Sequence, residues 1–343
     1  MVNPLVSIIE KDVQKVVGVA GLRELAGKSI LLTGASGLLG IYFLASLREL
    51  SRQGYAPLLV VAVVKSELTV PFKSFLDFEG AHVAQGDLTD LNFVNGLGQF
   101  DYIIHAAGYG QPGRFMEDQV KTLQLNTSTT LALFNCLVTE GHLLFLSSSE
   151  VYSGLPNPPY RETQIGTTNT THSRSCYIEA KRCGEAICNA YRAKGVNAHS
   201  ARLALAYGPG TKTGDRRVIN SFIERGATQG KITLLDMGAA KRTYCYVSDA
   251  VEILWNILLR GNEPIYNVGG LSRTTIAELA QKIGHYMKVP VEFPKDAQEL
   301  GGAPDDVYLD MSRVQKEFKK TQYISFNEGL IQTIEWQKAL YSS

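Results

Sequence analysis

The sequence predicts an α/β protein built on a doubly wound parallel sheet. Three observations carry that expectation. Short, continuous apolar runs recur through the first half of the chain: Ser29–Leu32, Leu58–Val64, Tyr102–Ile104 and His142–Leu146. Runs of this kind are what strands buried on both faces require. Segments with helical spacing of apolar residues lie between them. The first run also passes straight into Thr33-Gly34-Ala35-Ser36-Gly37-Leu38-Leu39-Gly40, placing three glycines between a strand and a helix start.

Bulk properties narrow the function. A length of 343 residues suits one large or two modest domains. Apolar content is 45% and charged content 20%, ordinary for a globular protein. A net charge of +1 gives no reason to expect a nucleic-acid groove or an anionic membrane surface as partner. The start of the chain has no basic segment followed by an apolar core, and no apolar stretch approaches a membrane span. The five cysteines (Cys136, Cys176, Cys183, Cys188, Cys245) form no C-x-x-C pair and have no matching histidine cluster. We therefore expect reduced thiols, no metal site and a cytoplasmic location.

In chain order, Ile8, Ile9, Val13, Val16 and Val17 share roughly one helical face, which predicts an extra N-terminal helix over part of residues 1–27. The glycine turn follows the Ser29–Leu32 strand. Gly34, Gly37 and Gly40, with Ser36 and Leu38, would let backbone approach a pyrophosphate at the helix N-terminus. This is the dinucleotide site of a Rossmann-type sheet. The Leu58–Val64 strand ends at Lys65. A basic residue there would pair with a 2′-phosphate and favour NADP; a nearby acid such as Glu67 would instead bond the ribose hydroxyls of NAD. Asp87, before Leu88, is placed at a strand end to accept from an adenine amino group. The Tyr102–Ile104 strand ends in His105-Ala106-Ala107-Gly108, where small residues let the chain lie along the dinucleotide. His105 reads as a packing residue. The next helix carries Asn126, with Leu131, Leu133, Phe134 and Leu137 as its apolar positions.

The His142–Leu146 strand ends in Ser147-Ser148-Ser149-Glu150. Ligands of doubly wound sheets sit beyond such strand ends, so these hydroxyls and this carboxylate are placed for chemistry. A loop rich in Pro, Thr and Asn over 155–175 then delivers Tyr177 and Lys181 at the head of a helix. Four residues apart, they share one face. A nearby ammonium would lower the tyrosine pKa, as a general base near neutral pH requires.

Together these residues resemble the extended short-chain dehydrogenase/reductase family across nearly the whole chain. The motifs are Gly34/Gly37/Gly40, Asp87-Leu88, His105-Ala106-Ala107-Gly108, Ser148, and Tyr177 with Lys181. Further on, Tyr207-Gly208-Pro209, Arg242 to Asp249 and Asn267-Val268-Gly269-Gly270 are similar to motifs around the family's sugar site. Within the family, Arg174-Ser175-Cys176-Tyr177 and Ser149-Glu150-Val151-Tyr152 are most similar to UDP-glucuronate decarboxylases. Two departures stand out. Leu205 takes the place of the family's usual Asn before Tyr-Gly-Pro, and the stretch from Pro304 to Asp310 has no Arg for a substrate diphosphate.

The resemblance implies a nucleotide-sugar enzyme with bound NAD (or NADP, from Lys65). Tyr177 would take the C4 hydroxyl proton during C4 oxidation. Lys181 would hold the nicotinamide ribose, and Ser148 the same hydroxyl. Ser149, Glu150 and Arg242 would act at a C6 carboxylate and in proton transfer to C5. The implied reaction is decarboxylation of a UDP-glucuronate-like substrate followed by re-reduction. The alternatives are a 4,6-dehydratase, a 4-epimerase or an NADPH-dependent carbonyl reductase. Cofactor contacts would come from Gly34, Ser36, Gly37, Leu38, Gly40, Lys65, Asp87, Leu88, Ala106, Ala107 and Lys181. Substrate contacts would come from Arg242, Asn126 and Arg217, with Lys212 and Arg216 near the last. The expected division is a helical extension (1–27), a dinucleotide-binding domain (28–202, with 247–262 returning to it) and a smaller, discontinuous substrate-binding domain (203–246 and 263–343). A homodimer is implied, pairing outer apolar surfaces at Ala180, Ile187 and Tyr191 and at Leu131 and Cys136.

Overall fold

The computed structural model of the protein describes residues 4–57, 59–295 and 306–341. Leu58, Pro304 and Asp305 lie outside them. Seven strands form one sheet: β1 (Ser29–Thr33), β2 (Leu59–Val64), β3 (Ala81–Gln85), β4 (Phe100–His105), β5 (Leu137–Ser148), β6 (Asn197–Leu203) and β7 (Ile265–Val268). Their spatial order is β7-β6-β5-β4-β1-β2-β3, and each adjacent pair is parallel. The order reverses between β1 and β4, so a crevice opens beyond their carboxyl ends. This is a Rossmann-like α/β fold.

The apolar runs divide by alternation, as a strand covered on both faces must. Ile30, Leu32, Leu144 and Leu146 face one core layer. Leu31, Leu143 and Phe145 face the other. The first layer holds the Leu38–Arg52 and Val247–Arg260 helices, joined by Phe43 and Trp255 in an edge-to-face contact at 4.9 Å. The N-terminal helix, Pro4–Val19, docks on this layer through Val6, Ile9, Val13, Val16 and Val17, with Ile8 only half-buried. Its Asp12 is buried, accepting from Tyr42 and Tyr246 hydroxyls at 2.8 Å each. Burial pushes that carboxyl up to about 6 against both hydrogen bonds.

Several elements differ from expectation. Leu137 opens β5 instead of closing a helix, and β5 runs on to Ser148. The preceding helix ends at Phe134, leaving Cys136 to pack under the sheet. Residues 265–268, expected in the smaller domain, form the edge strand β7, because Ile265 to Val268 pair with Ser200 to Leu203. Ala180 and Cys136, expected on outer surfaces, are buried. Ile187 and Tyr191 are half-buried, and the Tyr191 ring stacks on Phe134 at 3.8 Å. The apolar residues that do reach the surface there are Met116, Val120, Leu123 and Leu131.

Outside the main sheet, short strands pair Leu205–Tyr207 with Tyr244–Tyr246, Lys241–Arg242 with Thr274–Thr275, and Ile232–Thr233 with Val291–Glu292. The helices Val218–Gln229, Ile276–Met287 and Phe326–Tyr341 pack with them. Among the described residues, no helix is long and apolar enough to cross a membrane.

Candidate active site

The glycine turn is tight at its two ends and open between them. Gly34 has φ +68°, and a Cβ there would stand 2.6 Å from the Ala106 carbonyl carbon. At Gly40 a Cβ would stand 2.3 Å from the Gly34 oxygen. Glycine is therefore required at 34 for the ends of β1 and β4 to abut, and at 40 for the helix to start against the turn. Gly37 between them is exposed and caps the Leu38–Arg52 helix with no side-chain bond to its first N–H groups. Ser36 and Leu38 are half-buried beside it. A hydrogen-bond chain holds Ala107 against this turn: Ala107 N–H donates to Thr33 Oγ1 (3.1 Å), which meets His105 Nδ1 (2.9 Å). His105 Nε2 meets the Leu125 carbonyl at 2.9 Å, so the proton sits on Nε2. Burial, then the Lys181 charge, pushes His105 down to about 3, keeping it a neutral packing residue.

At the far end of the turn, Asp87 follows β3. Burial opposes its charge, but Lys121 and the Thr89 N–H and hydroxyl hold its carboxyl well below the usual range. Lys65 Nζ lies 3.6 Å from the same carboxylate and is largely exposed. Glu67 is instead paired with Lys73 at 3.4 Å. Two lysines therefore flank this corner. The Leu88 side chain is buried in the core and its carbonyl accepts from Thr129 at 2.7 Å.

The chemistry lies past β5 and at the head of the Ser175–Arg192 helix. Tyr177 is buried and stacks on Phe115 at 4.5 Å and 10°. The Ser148 hydroxyl acts on its phenol, favouring the charged form. Ser148 also accepts from Glu150 N–H at 3.2 Å, capping the short turn Ser149–Tyr152. Lys181 Nζ donates to the Leu146 carbonyl at 2.6 Å and lies 5.6 Å from the Tyr177 ring centre. The expected effect of this pair on the phenol is corrected here. Burial outweighs the Ser148 hydroxyl and pushes Tyr177 up to about 12, while burial also pushes Lys181 down to about 7. Both groups are desolvated, and in each the penalty on the charged form is the largest effect.

Glu150 is the third group. Its Oε1 pairs with the Arg174 guanidinium, and its Oε2 is buried with no partner among the described residues. Burial raises its pKa against the lowering charges of Arg174, Arg242 and His172. Ser149 and Glu150 line one small cavity with Tyr152 and Tyr160. Arg242 stands on a two-residue strand against Thr274, and its Nη1 donates to the Lys241 carbonyl at 2.7 Å.

Two expected substrate contacts are placed otherwise. Arg217 is held by both Asp215 oxygens and donates to the Ala206 carbonyl at 3.2 Å. Asn126 is fully buried and donates to its own helix at Thr122 O, 2.8 Å, leaving only Oδ1 without a partner among the described residues. A carboxylate two residues before Arg217, and a carbonyl one turn before Asn126, satisfy these donors locally.

With this geometry in view, comparison with known proteins is direct. The family model described as the NAD dependent epimerase/dehydratase family matches residues 30–269. This chain belongs to that family. Membership of that family makes it an NAD-dependent enzyme, and the Gly34–Gly40 cradle fits that cofactor. UDP-glucuronic acid decarboxylase 6 of Arabidopsis thaliana is 28% identical over 306 residues, 88% of this chain and 86% of the relative. A dTDP-4-dehydro-6-deoxy-D-allose reductase of a Streptomyces species is 26% identical over 329 residues, 91% and 97% of the two chains. The solved dTDP-glucose 4,6-dehydratase of Streptomyces venezuelae, with NAD bound, shares the fold with a TM-score of 0.79. It is 21% identical and covers 91% of this chain and 97% of its own.

Three residues of this epimerase/dehydratase site escaped the sequence reading: His172, Phe115 and Lys121. In the sequence Arg174 reads only as part of a motif, with no role, although it stands one turn before Tyr177 at the helix start. Phe115 and Lys121 had no signal, because only the folded chain brings them to Tyr177 and Asp87.

Proposed function

We propose that this protein modifies a nucleotide sugar at C4 and decarboxylates it, taking a UDP-glucuronate-like substrate. The observation that carries this reading is Glu150. A buried carboxyl, ringed by Arg174, Arg242 and His172, stands beside Ser148 and Tyr177. A 4-epimerase needs no acid or base at C5, and one acting on a neutral hexose needs no cations for a C6 carboxylate. The relatedness to UDP-glucuronic acid decarboxylases supports the same choice.

Bound NAD supplies the hydride acceptor and donor at C4. The residues of the chain do the rest. With the cofactor absent the phenol is protonated. The positive nicotinamide ring of bound NAD would favour the phenolate, and Tyr177 would then take the C4 hydroxyl proton while Ser148 bonds the same oxygen and steadies the ketone. Lys181 holds the nicotinamide ribose. With C4 oxidised, a C6 carboxylate becomes a β-keto acid and leaves as CO2. Glu150 and Ser149 then manage the proton that C5 needs, and Arg242 fixes the leaving carboxylate. Gly34, Ser36, Gly37, Leu38, Gly40, Asp87, Ala106 and Ala107 hold the dinucleotide. We assign the sugar-binding unit to residues 203–246 and the segments after β7. We also take the protein to act as a homodimer, pairing the surface that carries Val120, Leu123 and Leu131.

Incubation with NAD and UDP-glucuronate should release CO2 and a pentose nucleotide without net NADH. A 4-keto-6-deoxy product from a hexose nucleotide, with no CO2 from UDP-glucuronate, would replace this reading with a 4,6-dehydratase. A second reading is favoured by Lys65 and Lys121: an NADPH-dependent reductase of a nucleotide-sugar ketone. It predicts stoichiometric NADPH consumption.

A further inference from the structure

We propose that Arg174 is the residue that selects a hexuronate: the sugar's C6 carboxylate displaces the Glu150 carboxylate from the Arg174 guanidinium. The inference rests on the decarboxylase reading above and names how its substrate is told from a neutral sugar.

The pair joins the two elements that carry the chemistry. Glu150 stands on the turn that Ser148 caps, and Arg174 caps the helix that carries Tyr177. It is also half-satisfied. Glu150 Oε2 and Arg174 Nε are both buried without a partner among the described residues. A guanidinium can meet a carboxylate with two parallel bonds, and here its Nε edge is unused. Leaving buried donors of this kind unmade is costly, so the arrangement favours a ligand that completes it.

The guanidinium is also fixed in place. It lies 5.5 Å over the Phe115 ring, which itself stacks on Tyr177 at 4.5 Å. A carboxylate that bonds Arg174 is therefore held next to the phenol that acts at C4. A neutral hexose or a pentose brings no charge to break the Glu150–Arg174 pair, and the pair stays closed against it. Displaced Glu150 remains buried beside Arg242 and His172, where burial already favours its protonated form.

The test uses the full-length protein with NAD, titrated calorimetrically with UDP-glucuronate and with UDP-xylose, which lacks the carboxylate. Glu150→Gln removes the internal competitor. It should tighten UDP-glucuronate about 10-fold, leave UDP-xylose unchanged and lose turnover. Arg174→Gln should weaken UDP-glucuronate by about 10- to 100-fold and leave UDP-xylose within about 3-fold, with Arg174→Lys in between. Equal weakening of both sugars by Arg174→Gln, or no tightening by Glu150→Gln, overturns the inference. Should Arg174→Gln not fold, the Glu150→Gln comparison decides alone. Wild-type turnover of UDP-glucuronate separates the two levels. Without it the decarboxylase reading falls and takes this inference with it; with it, only the role of Arg174 is at stake.

Discussion

Lys181 Nζ sits 5.6 Å from the centre of the Tyr177 ring, yet its hydrogen bond goes to the Leu146 carbonyl, 2.6 Å away. The lysine therefore makes no hydrogen bond to the phenol. Its buried position pushes its pKa from 10.5 down to about 7. A lysine lowered on folding weakens the folded state wherever it must be charged. That cost is full below pH 7 and fades as pH rises toward 10.5, since the unfolded chain then binds the extra proton. Lys181→Met should accordingly melt higher than wild type at pH 6, with the gain shrinking toward pH 10, while turnover is lost. Thermal melts of both proteins across that range check it, and a pH-independent difference would sink it.

Tyr177→Phe keeps the ring that stacks on Phe115 and removes only the oxygen. The variant should fold, bind cofactor and keep its KM. Its kcat should fall by about 10²–10⁴-fold, the usual share of a general base. Steady-state kinetics with the accepted sugar nucleotide measure this. Equal losses in kcat and in sugar affinity would point to a packing role.

Lys65 and Lys121 meet on one Asp87 carboxylate, so the corner where a ribose 2′ substituent would lie is positive on two sides. NAD should bind, and NADP should bind comparably through Lys65. Lys65→Glu should weaken NADP by about 10-fold and leave NAD within about 2-fold, because only the 2′-phosphate senses the new charge. Fluorescence titration with both reduced dinucleotides reads the ratio. An unchanged ratio would mean that Lys65 is merely solvated.

The parts of this molecule that could be read in advance share one physical property: they are local. The Thr33–Gly40 turn, the apolar strands and the Tyr177–Lys181 spacing each depend on neighbours within a turn or a strand. What the sequence concealed depends on distance along the chain. Residues 265–268 looked like lid because nothing in four residues reveals which edge of which sheet they join. Arg217 looked available for substrate because its capture by Asp215 and Ala206 depends on the path of a loop. The electrostatics were the least legible. A tyrosine beside a lysine suggests an acidic phenol, but burial of both reverses the expectation, and burial is a property of the packed core alone.

The glycine turn makes the last prediction, because its two ends fail for steric reasons that the rest of the chain cannot relieve. A methyl group at Gly40 would meet the Gly34 oxygen at 2.3 Å, and one at Gly34 would meet the Ala106 backbone at 2.6 Å with φ at +68°. Both obstacles are backbone, so neither can rotate away. Gly40→Ala and Gly34→Ala should each cost at least about 1–3 kcal/mol of stability and abolish dinucleotide binding. Gly113 supplies the contrast. It lies in the Pro112–Glu117 helix with nothing within 4 Å of an added methyl and no positive φ. Gly113→Ala should stabilise the protein by about 0.5–1 kcal/mol through helix propensity and leave binding intact. Urea melts with and without NAD separate the two outcomes. A Gly34→Ala variant that kept wild-type stability and cofactor affinity would mean that β1 and β4 do not approach as closely as this geometry requires, and the same result for Gly40→Ala would mean that the helix start does not press on the turn.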